Sequence, residues 1–158
     1  AKLWFIGGLV YRDVPDAEAT AFKVIEARAA AKLKNPTRTE VGYVHYARRP
    51  KYFGLVRDGD WVVECVRDSD GRRVIEAPAQ VLGQDDYDRK SGKRRYVLML
   101  EKMKSFQKMP LSRFRGRVGK RLPQLDRPSP RTRPILSDED ADAILRMWNE
   151  SGRLSRKR

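Results

Sequence analysis

Residues 41–66 bring aromatic rings and positive charge together in one short stretch, VGYVHYARRPKYFGLVRDGDWVVECV. The rings belong to Tyr43, Tyr46, Tyr52, Phe53 and Trp61, and the basic side chains to Arg48, Arg49, Lys51 and Arg57. Aromatic side chains stack on unpaired bases at about 1 to 3 kcal/mol per base, while Lys and Arg hold the phosphates beside them. The stretch therefore favours contact with nucleic acid, and Tyr52 and Phe53 are expected to be exposed rings in a basic loop.

Catalytic chemistry has less support in the sequence. His45 is the only histidine, and a lone histidine in a strand between two tyrosines is more readily a structural residue than part of a hydrolase triad. Cys65 is the only cysteine, and one Cys with one His cannot complete a common structural zinc site. We expect no catalytic residue, no metal and no cofactor. A magnesium-dependent nuclease or an RNA-modifying enzyme stays open as an alternative, although many acids fall on predicted turns: Asp68, Asp70, Asp85, Asp86 and Asp88.

Positive charge is strongly segregated along the chain. The 158 residues carry a formal net charge of +14, from 35 Lys or Arg and 21 Asp or Glu. Residues 89–133 hold sixteen of these basic residues and only two acids, so this segment carries the whole excess and the rest is neutral. Such segregation favours a polyanionic partner, because each neutralised phosphate releases condensed counterions. A solvated basic loop at residues 115–134 is the alternative interpretation.

Apolar runs bounded by turn residues predict the strands of a sheet. Five segments qualify: residues 2–6, 40–46, 58–66, 72–83 and 94–103. Pro78 indicates an edge or a bulge in the fourth of them. The sequence Asp58-Gly59-Asp60 predicts a hairpin turn, and it lacks the pattern of a glycine-rich phosphate loop.

Two amphipathic helices are expected to flank the sheet. The first covers residues 16–34, where four apolar residues recur at helical spacing: Phe22, Ile25, Ala29 and Leu33. The second follows a cap at Ser137 and has its own apolar stripe: Ala141, Ile144, Leu145 and Trp148. The spacing of Trp148 is explained by packing, which assigns it to the core rather than to a ligand site.

The order of one strand, one helix, several strands and a closing helix predicts an α+β fold, a small mixed and mostly antiparallel β-barrel flanked by helices. Residues 1–150 are expected to form one domain, and residues 151–158 a basic flexible tail. No apolar run reaches the length of a membrane span, and a single cysteine excludes an internal disulfide. A cytoplasmic domain, monomeric in isolation and with no membrane partner, is therefore expected.

Four segments together resemble the EVE and YTH branch of the PUA-like superfamily: RDGDWVVECV, RRVIEAPAQVLGQDDYD, RRYVLMLEKMKSFQKMPLSRFRG and RTRPILSDEDADAILRMW. The resemblance spans most of the chain and lies in the order of the elements. It implies a PUA-like barrel and a non-catalytic reader of modified bases. YTH domains bind N6-methyladenine in an aromatic cage, and EVE domains are expected to bind modified nucleobases, in some cases as the recognition module of modification-dependent restriction enzymes.

The resemblance also suggests which rings hold the base. A cage Trp of the family lies on the strand before the Gly-Asp turn, where this chain has Tyr43. Tyr87 is the aromatic nearest to a second cage position, and Trp4 matches a ring that is often present on the first strand. Trp61 completes the predicted base pocket, although Trp4 and Trp61 are equally well explained as core residues.

Basic residues around this pocket would hold the flanking phosphates: Arg48, Arg49, Lys51, Lys93, Arg94, Arg95, Arg113, Arg115, Arg117, Lys120 and Arg121. The expected partner is DNA or RNA carrying a modified, in particular methylated, base that flips into the pocket. A fused or associated nuclease or ATPase is a further expected partner. The main alternative is a PUA-like domain that binds RNA regardless of modification, because the same charge would hold folded RNA without base flipping.

Overall fold

The computed structural model describes residues 2–7, 19–46, 49, 53–88, 94–104, 108–118, 133–134 and 141–148. The strands are β1 (Leu3–Gly7), β2 (Thr39–Tyr46), β3 (Trp61–Arg67), β4 (Arg73–Ile75), β5 (Ala79–Asp88), β6 (Arg94–Met103), β7 (Met109–Pro110) and β8 (Arg133–Pro134). The helices are α1 (Ala19–Ala31), α2 (Leu111–Val118) and α3 (141–148), and a 3-10 turn covers Phe53–Leu55. No helix in these ranges is long and apolar enough to cross a bilayer.

The described strands form one sheet in the order β2-β6-β5-β3-β1-β8, with β4 added beside β3 and β7 beside β4. β1 runs parallel to β3, and the other described pairs are antiparallel. The sheet curls into a half-barrel, which confirms the mixed α+β class and its largely antiparallel sheet. The PUA-like assignment of this barrel stays a prediction.

Side chains that alternate along the strands divide the core into three clusters. The inner cluster fills the inside of the curl: Trp4, Val44, Phe53, Val56, Val62, Ala79, Val81, Leu98 and Leu100. The α1 cluster packs between helix α1 and the outer face: Ile25, Ala29, Leu82, Tyr87, Val97 and Met99. The α2–α3 cluster covers the other end of the sheet: Leu3, Val63, Cys65, Ile75, Met109, Leu111, Phe114, Ala141 and Ile144. Trp148 packs against this last cluster, with its ring 5.4 Å from that of Phe114, which confirms it as a core residue.

Asp60 anchors the first strand to the turn that precedes β3. Its carboxylate accepts hydrogen bonds from Trp4 Nε1 at 2.9 Å, from the Lys2 backbone N–H at 3.0 Å and from the Arg57 N–H at 3.0 Å. Burial would raise the pKa of Asp60, but these hydrogen bonds outweigh that effect and hold the pKa below its usual value. The carboxylate is thus a buried structural anion.

A buried ion cluster lies further along the inner face. Lys102 Nζ lies 2.7 Å from Glu64 Oε1 and 2.8 Å from Glu76 Oε2, and both glutamates are almost fully buried. Burial alone would lower the pKa of Lys102, but the two carboxylates raise it above its usual value. Gly42 makes room for this lysine, because a Cβ at residue 42 would overlap the Lys102 Cε atom. The largely buried Lys102 therefore holds two buried carboxylates together, and the more exposed Lys108 lies 3.8 Å from Glu76 Oε1.

The structure differs from the predicted elements in three places. The single strand expected at residues 72–83 is two strands, β4 and β5, because residues 76–78 between them are not part of a strand. The turn at Asp58-Gly59-Asp60 exists, with Gly59 at a φ of 88°, but it joins no hairpin because β2 pairs with β6 rather than β3. Helix α2 was not predicted, and its second half begins the segment 115–134 for which a solvated loop was the alternative interpretation; Phe114 stabilises the helix by packing fully buried in the α2–α3 cluster.

Candidate functional site

The four rings of the predicted base pocket fall into three parts of the fold. Trp4 is 1% exposed in the inner cluster, where Asp60 binds its indole N–H, so it is a core residue rather than the wall of an open pocket. Trp61 packs partly buried against the α2–α3 cluster. Tyr43 and Tyr87 share the face that α1 covers. The structure therefore brings together only Tyr43 and Tyr87.

An aromatic layer under α1 contains these two tyrosines. The ring of Phe22, from α1, lies 4.7 Å from that of Tyr43 and 5.4 Å from that of His45, nearly parallel to the imidazole. Tyr87 Oη lies 3.5 Å from His45 Nδ1. Helix α1 thus occupies the space in front of these rings.

Burial sets the protonation of this layer. Burial, helped by the nearby positive charge of Arg95, lowers the pKa of His45 to about 4, so the imidazole is neutral at pH 7. Burial, with a contribution from Glu26, raises the pKa of the Tyr43 phenol. Tyr43 Oη and His45 Nε2 are buried without a hydrogen-bond partner among the described residues. The layer is a packed, neutral interface.

An open cleft of about 320 Å³ lies on the opposite face of the same strands, at the mouth of the half-barrel. Its lining comes from β5, β6 and the segment that follows β2: Arg49, Phe53, Gln84, Asp85, Asp86, Arg94 and Tyr96. The sheet register explains how they meet, because Tyr46 pairs with Tyr96 across β2 and β6, and Tyr96 pairs with Asp86 across β6 and β5. Residues directly opposite each other share a face, so these three form one row.

Aromatic rings form the back of the cleft. The ring of Phe53 lies 5.9 Å from that of Tyr96 and 6.0 Å from that of Tyr46, edge to face in both pairs. Phe53 itself is 7% exposed, so the expectation of an exposed ring in a basic loop is wrong for this residue. Its packing in the inner cluster holds the partly buried Tyr96 in place at the cleft.

Polar and charged groups surround the rings. The Gln84 amide donates to the Val56 carbonyl, which fixes its side chain. Asp85 pairs with Arg28 of α1 at 2.5 Å, while Asp86 and Arg94, both substantially exposed, lie 3.7 Å apart. Arg49 is exposed and its guanidinium lies against the 3-10 turn: the Arg49 Nη2 atom would be 3.2 Å from a Cβ atom added to Gly54. The cleft thus combines aromatic surface, hydrogen-bond acceptors and two cations.

The predicted phosphate-binding residues divide between this cleft and other places. Arg49 and Arg94 line the cleft, Arg95 lies near His45 on the α1 face, and Arg113 is exposed on α2. Arg115 and Arg117 belong to α2, but their side chains are outside the described part. The remaining predicted positions also lie outside the described residues: Arg48, Lys51, Lys93, Lys120 and Arg121.

Four cleft residues were missed from the sequence, namely Gln84, Asp85, Asp86 and Tyr96. The acids of QDDYD were expected on a turn, but β5 continues through them and pairs QDDYD with RRYVL at the end where the β5–β6 hairpin is joined. In the described ranges no group of three or more His, Cys, Asp or Glu side chains could hold a metal ion. The arrangement is suited to holding a flat aromatic molecule that has polar atoms at its edge.

Comparisons with known proteins give no relative. No protein-family model matches the chain, no curated protein matches it, and no solved structure matches its fold.

Proposed function

We propose that this domain binds nucleic acid and takes a single modified base, with methylated bases as the leading class, into the cleft between β5, β6 and the 3-10 turn. The observation that carries the proposal is the meeting of Phe53 and Tyr96 with Asp86 and two arginines in one opening. The resemblance of the sequence to EVE and YTH domains implies the same function. The proposed pocket differs, because Tyr96 takes the role expected for Tyr43.

The size of the cleft supports one base as the ligand. Ligand sites of about 300 to 1,000 Å³ hold small molecules, and the volume of 320 Å³ is at the lower end of that range. A base pair with its two backbones would not enter. A duplex partner must therefore extrude the base, which costs a few kcal/mol and favours modified or weakly paired bases.

The charges at the cleft favour a base over a phosphate inside it. Asp86 would repel an entering phosphate, whereas carboxylate oxygens accept hydrogen bonds from the exocyclic amino groups of bases. Gln84 adds an amide, the group that commonly reads adenine. A singly methylated amino group keeps one N–H to donate, and its methyl group can contact the rings.

Arginines at the rim of the cleft suit the phosphates that flank such a base. Arg49 and Arg94 are both exposed, and Arg94 lies close enough to Asp86 to be oriented by it. An arginine that holds a phosphate contributes affinity without sequence preference. The rings and Asp86 would then determine which base binds.

Two matched variants test the pocket assignment. Tyr96→Leu removes a ring from the cleft, and Tyr43→Leu removes one from the opposite face of the same sheet; each ring is partly buried. Binding is measured by fluorescence anisotropy at fixed salt with oligonucleotides that carry adenine, N6-methyladenine, cytosine or 5-methylcytosine. Each is presented as single-stranded DNA, duplex DNA and RNA. Circular dichroism and thermal melting establish that both variants are folded.

We expect the wild type to prefer one modified base. Tyr96→Leu should remove that preference while leaving most of the salt-sensitive binding, and Tyr43→Leu should retain it. Loss of preference in Tyr43→Leu alone would return the pocket to the α1 face. Equal wild-type affinity for modified and unmodified oligonucleotides would contradict base reading and favour the alternative of modification-independent RNA binding. A confirmed reader would suit the recognition module of a modification-dependent restriction system, acting with a fused or associated nuclease or ATPase in the cytoplasm.

A further inference from the structure

The hairpin that joins β3 to β4 places two arginines directly opposite each other. Arg67 pairs in register with Arg73, and both side chains are exposed. Directly opposed residues have Cβ atoms about 4.5 to 5.5 Å apart, where like charges destabilise a sheet. Arg72, also exposed, adds a third positive charge beside them.

The acids of the same hairpin do not neutralise these arginines. The Asp68 carboxylate accepts hydrogen bonds from the backbone N–H groups of Asp70 at 3.0 Å and Arg72 at 2.9 Å, which closes the turn. Arg67 donates to the Gly71 carbonyl at 3.2 Å. Within the described part of the chain, neither Arg67, Arg72 nor Arg73 forms an ion pair with a carboxylate.

A basic helix lies next to this hairpin. Helix α2 packs against β4, and its sequence LSRFRGRV contains three arginines and no acid. Arg113 of this helix is exposed. Arg67 and Arg73 lie on the side of the sheet that α2 covers, since Arg67 is two residues from Cys65 on β3, Arg73 is two residues from Ile75 on β4, and Cys65 and Ile75 both belong to the α2–α3 cluster. The hairpin and the helix therefore form one basic surface.

We propose that Arg67, Arg72, Arg73 and Arg113 form a second phosphate-binding surface, here named the hairpin surface, which holds the backbone of the nucleic acid whose base enters the cleft. This inference rests on the proposed function. A polyanion would relieve the repulsion between Arg67 and Arg73 and gain affinity from counterion release. None of the three hairpin arginines was among the phosphate-binding residues expected from the sequence.

The two sites lie toward opposite ends of the sheet and on its opposite faces, because Arg67 shares the face of Cys65 whereas Asp86 shares the face of Tyr96. Trp61 of β3 pairs with Gln80 of β5, and the two strands are antiparallel. Arg67 and Asp86 each lie six residues further along their own strand, so they lie in opposite directions from this pair. At about 3.3 Å per residue, the separation along the strands is at most about 40 Å, and the curl of the sheet shortens it. One strand of a duplex needs on the order of twelve nucleotides to cover this distance at about 3.4 Å each. A 24-nucleotide strand, about 80 Å long when stacked, is therefore long enough to reach both sites, whereas a 6-nucleotide strand of about 20 Å covers half of this upper limit and would also have to pass around the edge of the sheet.

The test combines a surface variant with a length series. Arg67→Gln/Arg73→Gln removes two charges from the hairpin surface, and Lys23→Gln/Arg38→Gln removes two charges from exposed positions elsewhere. Affinity is measured across a salt series with a 6-nucleotide and a 24-nucleotide DNA, each carrying the base preferred by the wild type, or N6-methyladenine if none is preferred. Thermal melting establishes that both variants are folded.

We expect the hairpin variant to bind the short DNA like the wild type. Its salt slope for the long DNA should fall by about 2, one for each lost phosphate contact, and the control variant should change it less. An unchanged slope for the long DNA, or an equal fall in the control variant, would overturn the hairpin surface. Base preference separates the two proposals. If the salt slope falls in the hairpin variant but the wild type prefers no base, the hairpin surface is supported and the cleft is contradicted. If the wild type prefers one base but the salt slope does not fall in the hairpin variant, the cleft alone is supported.

Discussion

Trp4 Nε1 donates a 2.9 Å hydrogen bond to Asp60 Oδ2 within the interior of the half-barrel. This bond connects β1 to the turn before β3, although the two residues are 56 positions apart. Two backbone N–H groups share the same carboxylate, so Asp60 replaces the solvent for three donors at once. The Gly-Asp turn therefore has a structural function in addition to any contact with ligand.

Replacing Asp60 with Ala should lower the free energy of unfolding by at least about 2 kcal/mol, because buried donors without a partner cost about 1 to 3 kcal/mol each. The lowered pKa of Asp60 also gives a pH dependence. Its stabilising contribution is complete above the unfolded pKa of about 3.9 and is lost as the pH falls through the lower folded pKa. Urea denaturation followed by tryptophan fluorescence measures both effects. The exposed Asp70→Ala is the control, and equal losses in the two variants would contradict the role of Asp60.

His45 should make the folded state sensitive to mild acid. Its pKa is about 4 in the folded chain and about 6.5 in an unfolded one, so the unfolded chain binds more protons between these values. Stability should therefore be complete above about pH 6.5 and fall as the pH drops from there toward 4. His45→Phe keeps a ring in the aromatic layer and should lack this dependence. Urea denaturation at half-unit pH steps measures it, and parallel pH profiles for the two proteins would refute the assignment.

Lys102→Met should destabilise the protein by about 3 to 5 kcal/mol, since it leaves the carboxylates of Glu64 and Glu76 buried without their shared cation. The triple variant Glu64→Gln/Glu76→Gln/Lys102→Met should recover a substantial part of this loss, because no buried charge remains uncompensated. Chemical denaturation gives both values. The exposed Lys104→Met should change stability by less than about 0.5 kcal/mol. If the triple variant were less stable than Lys102→Met, the loss of stability in Lys102→Met would not come from uncompensated buried charge, and the prediction would be wrong.

Side-chain periodicity was the most reliable guide to the fold. Alternation along a strand puts Tyr43 and Tyr46 on opposite faces, and they pack against the α1 cluster and the inner cluster, respectively. Ile25 and Ala29 were expected on the core face of a helix, and both are buried on the side of α1 that packs against the sheet. Helix α2 carries the same signal, since Leu111, Phe114 and Val118 recur at helical spacing in LSRFRGRV. It was overlooked because arginines and a glycine separate these apolar residues.

The cleft depends on a register that the sequence does not display. The pairing of Gln80 with Glu101 would, if continued regularly, place Asp86 opposite Arg95 on the α1 face. An irregularity between Val81 and Gly83 shifts the register by one residue, so Asp86 instead lies opposite Tyr96 at the cleft. The sequence shows each of these side chains, but it does not show the bulge that brings Asp86 next to Tyr96. The base pocket was therefore assigned to other rings.

The parallel pairing of β1 with β3 has a consequence for how the chain folds. Leu3 pairs with Trp61, whereas β5 and β6 are consecutive strands that pair with each other along most of their length. Loop closure costs more entropy for distant partners, and folding slows as contacts become less local. During synthesis β1 emerges first but has no partner until the ribosome has translated β3. We expect the β5–β6 hairpin to form early and the insertion of β1 between β3 and β8 to be among the last steps of folding.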